Sequence, residues 1–412
     1  MSLRRKLILT TILSVSLPGL LLLLDEATWP GLLRIWQSSS IISTDFFTVG
    51  GFSAAMANAW LSVGLSVLVL LILRARFDGF VTAGLFNVAG FSFFGKTPFN
   101  AIPLWIGIWL VTKFQPMAKQ ELAKVYVFST ALGPLVSYTW WLAPLPLAWR
   151  LPLGVVVGVL AGLVIPKLSQ VVANWHQGYN LYNIGFTVGL VSAVFALAYR
   201  GLGWSVINGS TYSTEYNGIL TLLLLVLFVS LAIIGLRMKP TKDQWIRLIK
   251  DPGIRVDFTQ TYGWGITLIN IAILGFLSLA ILQVVQVPLN GPLLAAVFNV
   301  IGFGTMGKHL MNVGPLILGA LLISYSPWVD VTQVSTVGAI LLSSSMAPLS
   351  YRYGYPVALL AGMMLVLIGP LALQLQGGFA LYNNGFAAGL VATFLVQVAR
   401  PFPRFQIKRK RA

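Results

Sequence analysis

Lys96 and Lys308 each stand inside an otherwise apolar stretch, and the two stretches match. Phe86-Asn-Val-Ala-Gly-Phe leads to Gly95-Lys96 and Asn100, while Phe298-Asn-Val-Ile-Gly-Phe leads to Gly307-Lys308 and Asn312. A charge at bilayer depth costs about 2.5–3.5 kcal/mol on insertion scales unless it faces a wet cavity or a partner. Two such cations sharing a low-dielectric cavity attract an anion and exclude cations. Around them, Asn87, Asn100, Asn299 and Asn312 supply uncharged amides. A second matching pair of motifs, Gly178–Val191 and Gly378–Val391, adds Tyr182, Asn183, Tyr382 and Asn383. Such groups replace the water of a small polar solute. Two structural readings stand beside this one. Lysines at the interface would snorkel to water, and asparagines also glue helices together.

These side chains need helices to hold them, and the helices are duplicated. The displacement that carries Lys96 onto Lys308 also superimposes Asp45-Phe46 on Asp257-Phe258, Asn58 on Asn270 and Pro103 on Pro315, without a gap. Chance likeness between greasy segments would preserve Leu and Val; here Asn, Gly, Lys and Pro recur. The chain therefore divides into a first membrane repeat, Met1–Gly203, and a second, Tyr212–Ala412. Glycine-rich interruptions at corresponding positions of two halves point to a transport site at the midplane, because a broken helix exposes backbone polar groups that only a cavity or a protein interior tolerates.

Composition sets the solvent. With 57% hydrophobic residues, 9% charged and a mean hydropathy of +0.85, the chain lies outside the range of soluble domains. Apolar runs long enough to span begin at Lys6–Leu24 and include Val125–Leu142 and Val334–Leu349. The first reads as a retained helix, since no small-residue cleavage site follows Leu24. The net charge of +17 gathers in Arg4–Lys6, the Arg237–Arg255 loop and the tail from Arg404, which marks those segments as cytoplasmic rather than nucleic-acid-binding. With Gly201–Asn217 external, each half crosses an odd number of times and the halves are inverted. The expected fold is thus an all-α polytopic membrane protein of two inverted repeats, with about 14 membrane segments at roughly twenty residues each. In each repeat the pair Gly79–Gly95 and Asn100–Val111, or its copy, is broken or re-entrant.

Asp45 and Asp257 are the only acids that recur symmetrically. They serve either as helix caps, in which case the lysines face an anion or stay neutral, or as partners of the lysines. No paired intramembrane carboxylates and no nucleophile with a base appear, so no catalytic residue is assigned. Two histidines without cysteine exclude a metal centre, and no cofactor is expected. His176 is expected at the interface, and His309 has no counterpart in the first repeat, where Thr97 stands. Asn208-Gly209-Ser210 fits a glycosylation sequon and marks the external turn.

The Phe-Asn-x-x-Gly-Phe and Leu-Tyr-Asn-x-Gly-Phe motifs together resemble a family of uncharacterised polytopic bacterial membrane proteins over most of the chain. The resemblance implies a bacterial cytoplasmic membrane, and the charge distribution puts both termini on its cytoplasmic side. More distantly, the order of elements looks like urea transporters, with Asn87, Gly90, Asn100 and Pro103 standing for the first re-entrant element and Tyr182–Gly185 or Tyr382–Gly385 for the second. The leading function is a channel or transporter for a small polar, anionic solute between inverted halves. A membrane-embedded transferase or hydrolase and a urea-like neutral-solute channel are the alternatives. The lipid bilayer and the solute are the expected partners, nucleic acid is not, and homo-oligomerisation stays open.

Overall fold

The structure, a computed structural model, describes residues 19–41, 44–204 and 211–399, with the side chain of Ala399 left aside. Most of the first apolar run, the sequon and the basic tail lie outside the described residues. The described residues are helical, with one isolated bridge between Thr44 and Thr211. Six helices have the length and hydropathy to cross a membrane, and shorter apolar helices lie between them.

The first half runs α1 (Thr28–Trp36), α2 (Phe46–Gly50), α3 (Phe52–Ile72), α4 (Gly79–Phe91), α5 (Pro98–Phe114), α6 (Lys119–Ser129), α7 (Gly133–Trp141), α8 (Leu147–Trp175) and α9 (Asn183–Gly201). After α10 (Asn217–Arg237) the same order returns as α11 (Lys242–Ile249), α12 (Phe258–Thr261), α13 (Trp264–Val285), α14 (Gly291–Gly302), α15 (Leu310–Ser324), α16 (Val334–Leu342), α17 (Pro348–Arg352), α18 (Tyr355–Leu375) and α19 (Asn383–Ala399). Each element of the first half has its copy ten labels later.

Local chemistry sets the boundaries. Thr97 caps α5 by accepting from Asn100 N, while Asn100 Oδ1 accepts from Thr97 N, a reciprocal pair that satisfies two otherwise orphaned donors. At α15 half of this arrangement recurs, with Asn312 Oδ1 accepting from His309 N at 2.9 Å. The turn before each pair needs a left-handed residue, and Gly95 (φ 150°) and Gly307 (φ 87°) supply it at no steric cost. Asp45 and Asp257 are caps, and the lysines do not reach them. Asp257 accepts from Thr259 N and Gln260 N of its own short helix and from Gly79 N, the first residue of α4 in the other half. Asp257→Ala is expected to cost about 1–3 kcal/mol, since it orphans donors in both halves. A lowered melting midpoint in detergent checks this; Asp330→Ala, confined to an exposed loop with Thr332, should leave the midpoint unchanged.

The apolar runs Val125–Leu142 and Val334–Leu349 do not fold as continuous helices. A 3-10 turn interrupts the first at Thr130–Leu132 and the second at Ser343–Met346. Ser129, Thr130, Ser343 and Ser344 bond back to carbonyls one turn earlier, which competes with the helical ladder, and Pro134 and Pro348 bring no N–H. The breaks are shared across the halves: Leu181 N donates to Ser345 O (2.9 Å) and Leu381 N to Ala131 O (3.0 Å). Each non-helical segment ahead of α9 and α19 thus finds its partner in the other half's broken helix.

Equivalent helices also meet at the centre, antiparallel. A Cβ on Gly90 of α4 would lie 2.9 Å from Ala295 Cα, and one on Gly302 of α14 would lie 2.7 Å from Phe86 Cβ and 3.2 Å from Ala83 O. At the ends, Gly79 lies against Thr305 O and Gly291 against Phe93 O. Positions rise along one helix as they fall along the other. The contacts are reciprocal, as in a self-complementary two-fold interface, and the axis passes between Asn87 and Asn299, where Asn299 Nδ2 donates to Asn87 Oδ1 at 2.6 Å.

Each short pair is a hairpin with its ends tied together. Gln120 Oε1 accepts from Arg76 N (2.9 Å), and its Nε2 donates to Arg76 O (2.8 Å) and Asp78 Oδ2 (2.7 Å), which joins the entrance of α4 to the start of α6, just beyond α5. In the second half Tyr325 Oη donates to Val284 O (3.2 Å). Asn58 and Asn270 clip the hairpin turns by donating to the carbonyls of Ser92 and Lys96, and of Gly304 and Lys308.

A one-sided cavity at the axis

A cavity of about 690 Å³ enters the first half and ends at the axis. Its mouth lies at exposed Glu121 and Arg255, and its inner end at Asn87, Asn299, Tyr182 and Tyr382. The walls between, including Phe80, Phe128 and Phe303, are largely apolar. Lys124 stands near the mouth, bonded to Glu121 (2.7 Å) and lying 4.1 Å from the Phe80 ring centroid.

The lysines lie behind the inner end, each reaching into the opposite half. Lys96 Nζ donates to Tyr382 Oη at 2.7 Å. Lys308 Nζ donates to Tyr182 Oη and, at 2.8 Å, to Ser344 Oγ. Each ammonium also sits over the ring of its tyrosine, 4.9 Å from the Tyr382 centroid and 4.6 Å from that of Tyr182. Such a position is attractive for a desolvated cation. Both lysines are buried, at 1% and 0% exposure. Among the described residues the ion pairs are Lys124–Glu121 and Arg247–Asp243, so neither buried lysine has a carboxylate.

Polarity passes from lysine to cavity along a directed chain. Tyr182 Oη donates to Asn299 Oδ1, Asn299 donates to Asn87, and Asn87 Nδ2 donates to Ala83 O at 2.8 Å. The first half's version stops earlier: Lys96 reaches Tyr382, a residue that lines the cavity.

Of the residues singled out from sequence, Asn87, Asn299, Tyr182, Asn183 and Tyr382 come together on the cavity wall, with Lys96 and Lys308 directly behind the two tyrosines. Asn100 and Asn312 lie elsewhere. Their side chains close the caps of α5 and α15 and donate to Gly95 O and Gly307 O. Asn383 accepts from Asn384 Nδ2 (3.4 Å) and is absent from the cavity lining. His176 is buried at 1%; it lines the cavity and bonds Asn183 Oδ1 at 2.9 Å. Its position one turn of backbone before the Tyr-Asn motif was the available signal. His309 stands at the N-terminal boundary of α15, and its Nε2 bonds Asp251 O (2.9 Å). Arg255 and Asn180 were not singled out, since only the tertiary fold brings Arg255 to the mouth and Asn180 to the wall.

Six spanning-length apolar helices, with shorter apolar helices packed between them, make this a multi-pass membrane protein. The chain belongs to the family described as Protein of unknown function (DUF1576), whose model matches residues 24–200 and 239–401, one segment in each half. Nothing among curated proteins or solved structures matches, urea transporters included.

Proposed function

We propose that the chain is a transporter for a small organic anion, moved between two halves that lie inverted in a bacterial cytoplasmic membrane with both termini cytoplasmic. The observation that carries this reading is the 690 Å³ cavity that ends on Asn87, Asn299, Tyr182 and Tyr382 at the axis between the halves. Its volume suits a metabolite-sized molecule better than a halide. Inversion is supported by the antiparallel contact of α4 with α14, because an axis perpendicular to helices that run along the membrane normal lies in the membrane plane. On this arrangement the α4–α5 and α14–α15 hairpins are re-entrant from opposite faces. Their irregular turns stay buried in protein, as hydrocarbon demands.

The preference for an anion rests on the two lysines without carboxylates. An ammonium donating to a tyrosine oxygen polarises the O–H; Tyr182 commits its proton to Asn299 Oδ1, whereas the Tyr382 O–H becomes a stronger donor to a carboxylate or phosphate oxygen in the cavity. Asn87 and Asn299 replace the solute's remaining hydration. Lys124 is neutralised by Glu121, so Arg255 is the cation at the mouth that draws anions in.

Counterflow into liposomes holding the purified protein, screened over small organic anions and neutral amides, tests the proposal. Saturable uptake of an anion is expected, lowered at least tenfold by Asn299→Ala with the melting profile kept. Uptake of a neutral amide alone would remove the anionic assignment, and no uptake of either class above empty liposomes would remove transport itself.

A further inference from the structure

The second half carries a copy of the cavity lining, closed and in an unsatisfied state. Gln376 stands where His176 stands, and Asn384 where Ile184 stands, in the segments that precede and open α19 and α9. Both are buried, at 0% and 6% exposure. Gln376 Nε2, Gln376 Oε1 and Asn384 Oδ1 have no hydrogen-bond partner. Leaving a buried amide unpaired is among the costliest arrangements a folded chain carries, and native proteins hold few of them. Three such atoms at the positions that mirror an open, solute-sized cavity call for a reason.

Closure on this side is held lightly. Ser192 Oγ donates to Gln376 O at 3.0 Å, and Arg200 donates to Gln374 O. On the open side Ala392 stands at the place of Ser192 and has no hydroxyl to draw His176 in. The two sides thus differ, although Tyr182, Asn183 and Gly185 recur as Tyr382, Asn383 and Gly385.

We infer that Gln376 and Asn384 line a second vestibule, which opens on the opposite face when the present cavity closes, so that one solute site at the axis is reached alternately from two sides. In that state the orphaned amides meet water and the solute's polar groups. The exchange follows from the reciprocal contacts: halves that pack with two-fold complementarity can trade conformations, first half open with second closed, then the reverse. This inference rests on the transport reading and adds alternation to it.

The chain has no cysteine, so single replacements report directly. Ile184→Cys and Asn384→Cys are labelled with a membrane-impermeant methanethiosulfonate in intact cells and in inverted vesicles, with Gln376→Cys as a second reporter should Asn384→Cys not fold. Reaction from opposite faces is expected, and Ser192→Ala should speed labelling at Asn384→Cys at least fivefold. In the Ile184→Cys, Asn384→Cys double variant, a bulky maleimide on the first site should slow labelling of the second at least tenfold. Labelling of both from one face would overturn the inference, as would a silent second vestibule in which neither Asn384→Cys nor Gln376→Cys reacts, even with Ser192→Ala. Independent labelling of both sites in one molecule would describe a continuous pore, which overturns alternation but leaves solute passage standing. No solute enters these measurements, so their failure is separable from failure of the flux assay.

Discussion

Replacing Gly362 by leucine is expected to abolish recovery of folded protein from detergent extracts, and Gly319→Leu should do the same. A Cβ at Gly362 would lie 1.9 Å from Leu316 O, and one at Gly319 would lie 2.0 Å from Leu359 O. The obstacle in both cases is backbone, so no rotamer relieves it and α15 must part from α18. In a bilayer, where helices gain no hydrophobic advantage over lipid, close backbone approach through small residues is a main source of association. The same packing holds α5 to α8, where Cβ atoms at Gly107 and Gly162 would lie 2.1 and 2.2 Å from Val159 O and Leu104 O. Overpacking ordinarily costs about 1–3 kcal/mol, and a rigid carbonyl in the way exceeds that range. Gly64→Leu on α3, with nothing within 4 Å, serves as the comparison and should fold. Monodispersity on gel filtration reads both outcomes.

Lys96→Met and Lys308→Met are expected to lower anion flux at least tenfold each, and together to reduce it to background, while the protein still folds. Methionine fills most of the stem's volume, and burying an apolar group where a cation had no carboxylate removes a cost rather than adding one. What is lost is the donor behind each tyrosine. Without Lys308, Tyr182 keeps its bond to Asn299 but loses the charge that polarises it. Tyr182→Phe should therefore resemble Lys308→Met in flux, and the double variant should add little, because the two residues act as one unit. Unmodified flux in both lysine variants would make the lysines structural and leave a neutral solute read by the asparagines.

Much of this was legible in the chain itself. The duplication of the Gly-Lys turns followed from a repeat whose shared letters are polar or conformational, and those residues recur in equivalent structural places. The partners of Lys96 and Lys308 were not legible. Each bonds a tyrosine of the opposite half, and contacts across so large a separation depend on how the halves dock. Asn100 and Asn312 looked like solute ligands because an amide in an apolar stretch has the same letters whether it faces a cavity or caps a helix. The breaks at Thr130 and Ser343 carried a readable signal, hydroxyl residues followed by proline, inside runs whose hydropathy argued for continuous helices. The one-sidedness of the cavity had no signal at all. Near-identical motifs imply two equal halves, whereas the structure opens its 690 Å³ cavity toward Glu121 and Arg255.

The central claim, that the two halves lie inverted in the membrane, is tested most directly at a pair of corresponding loops. Gln115 follows the α4–α5 hairpin and Gln333 follows the α14–α15 hairpin; both are exposed. Single cysteines at these positions are to be labelled with an impermeant maleimide in intact cells and again after permeabilisation. The inverted arrangement predicts that Gln333→Cys reacts in intact cells and Gln115→Cys only once the membrane is opened. Reaction of both sites in intact cells, or of neither until permeabilisation, would put the corresponding loops on one face and contradict the account.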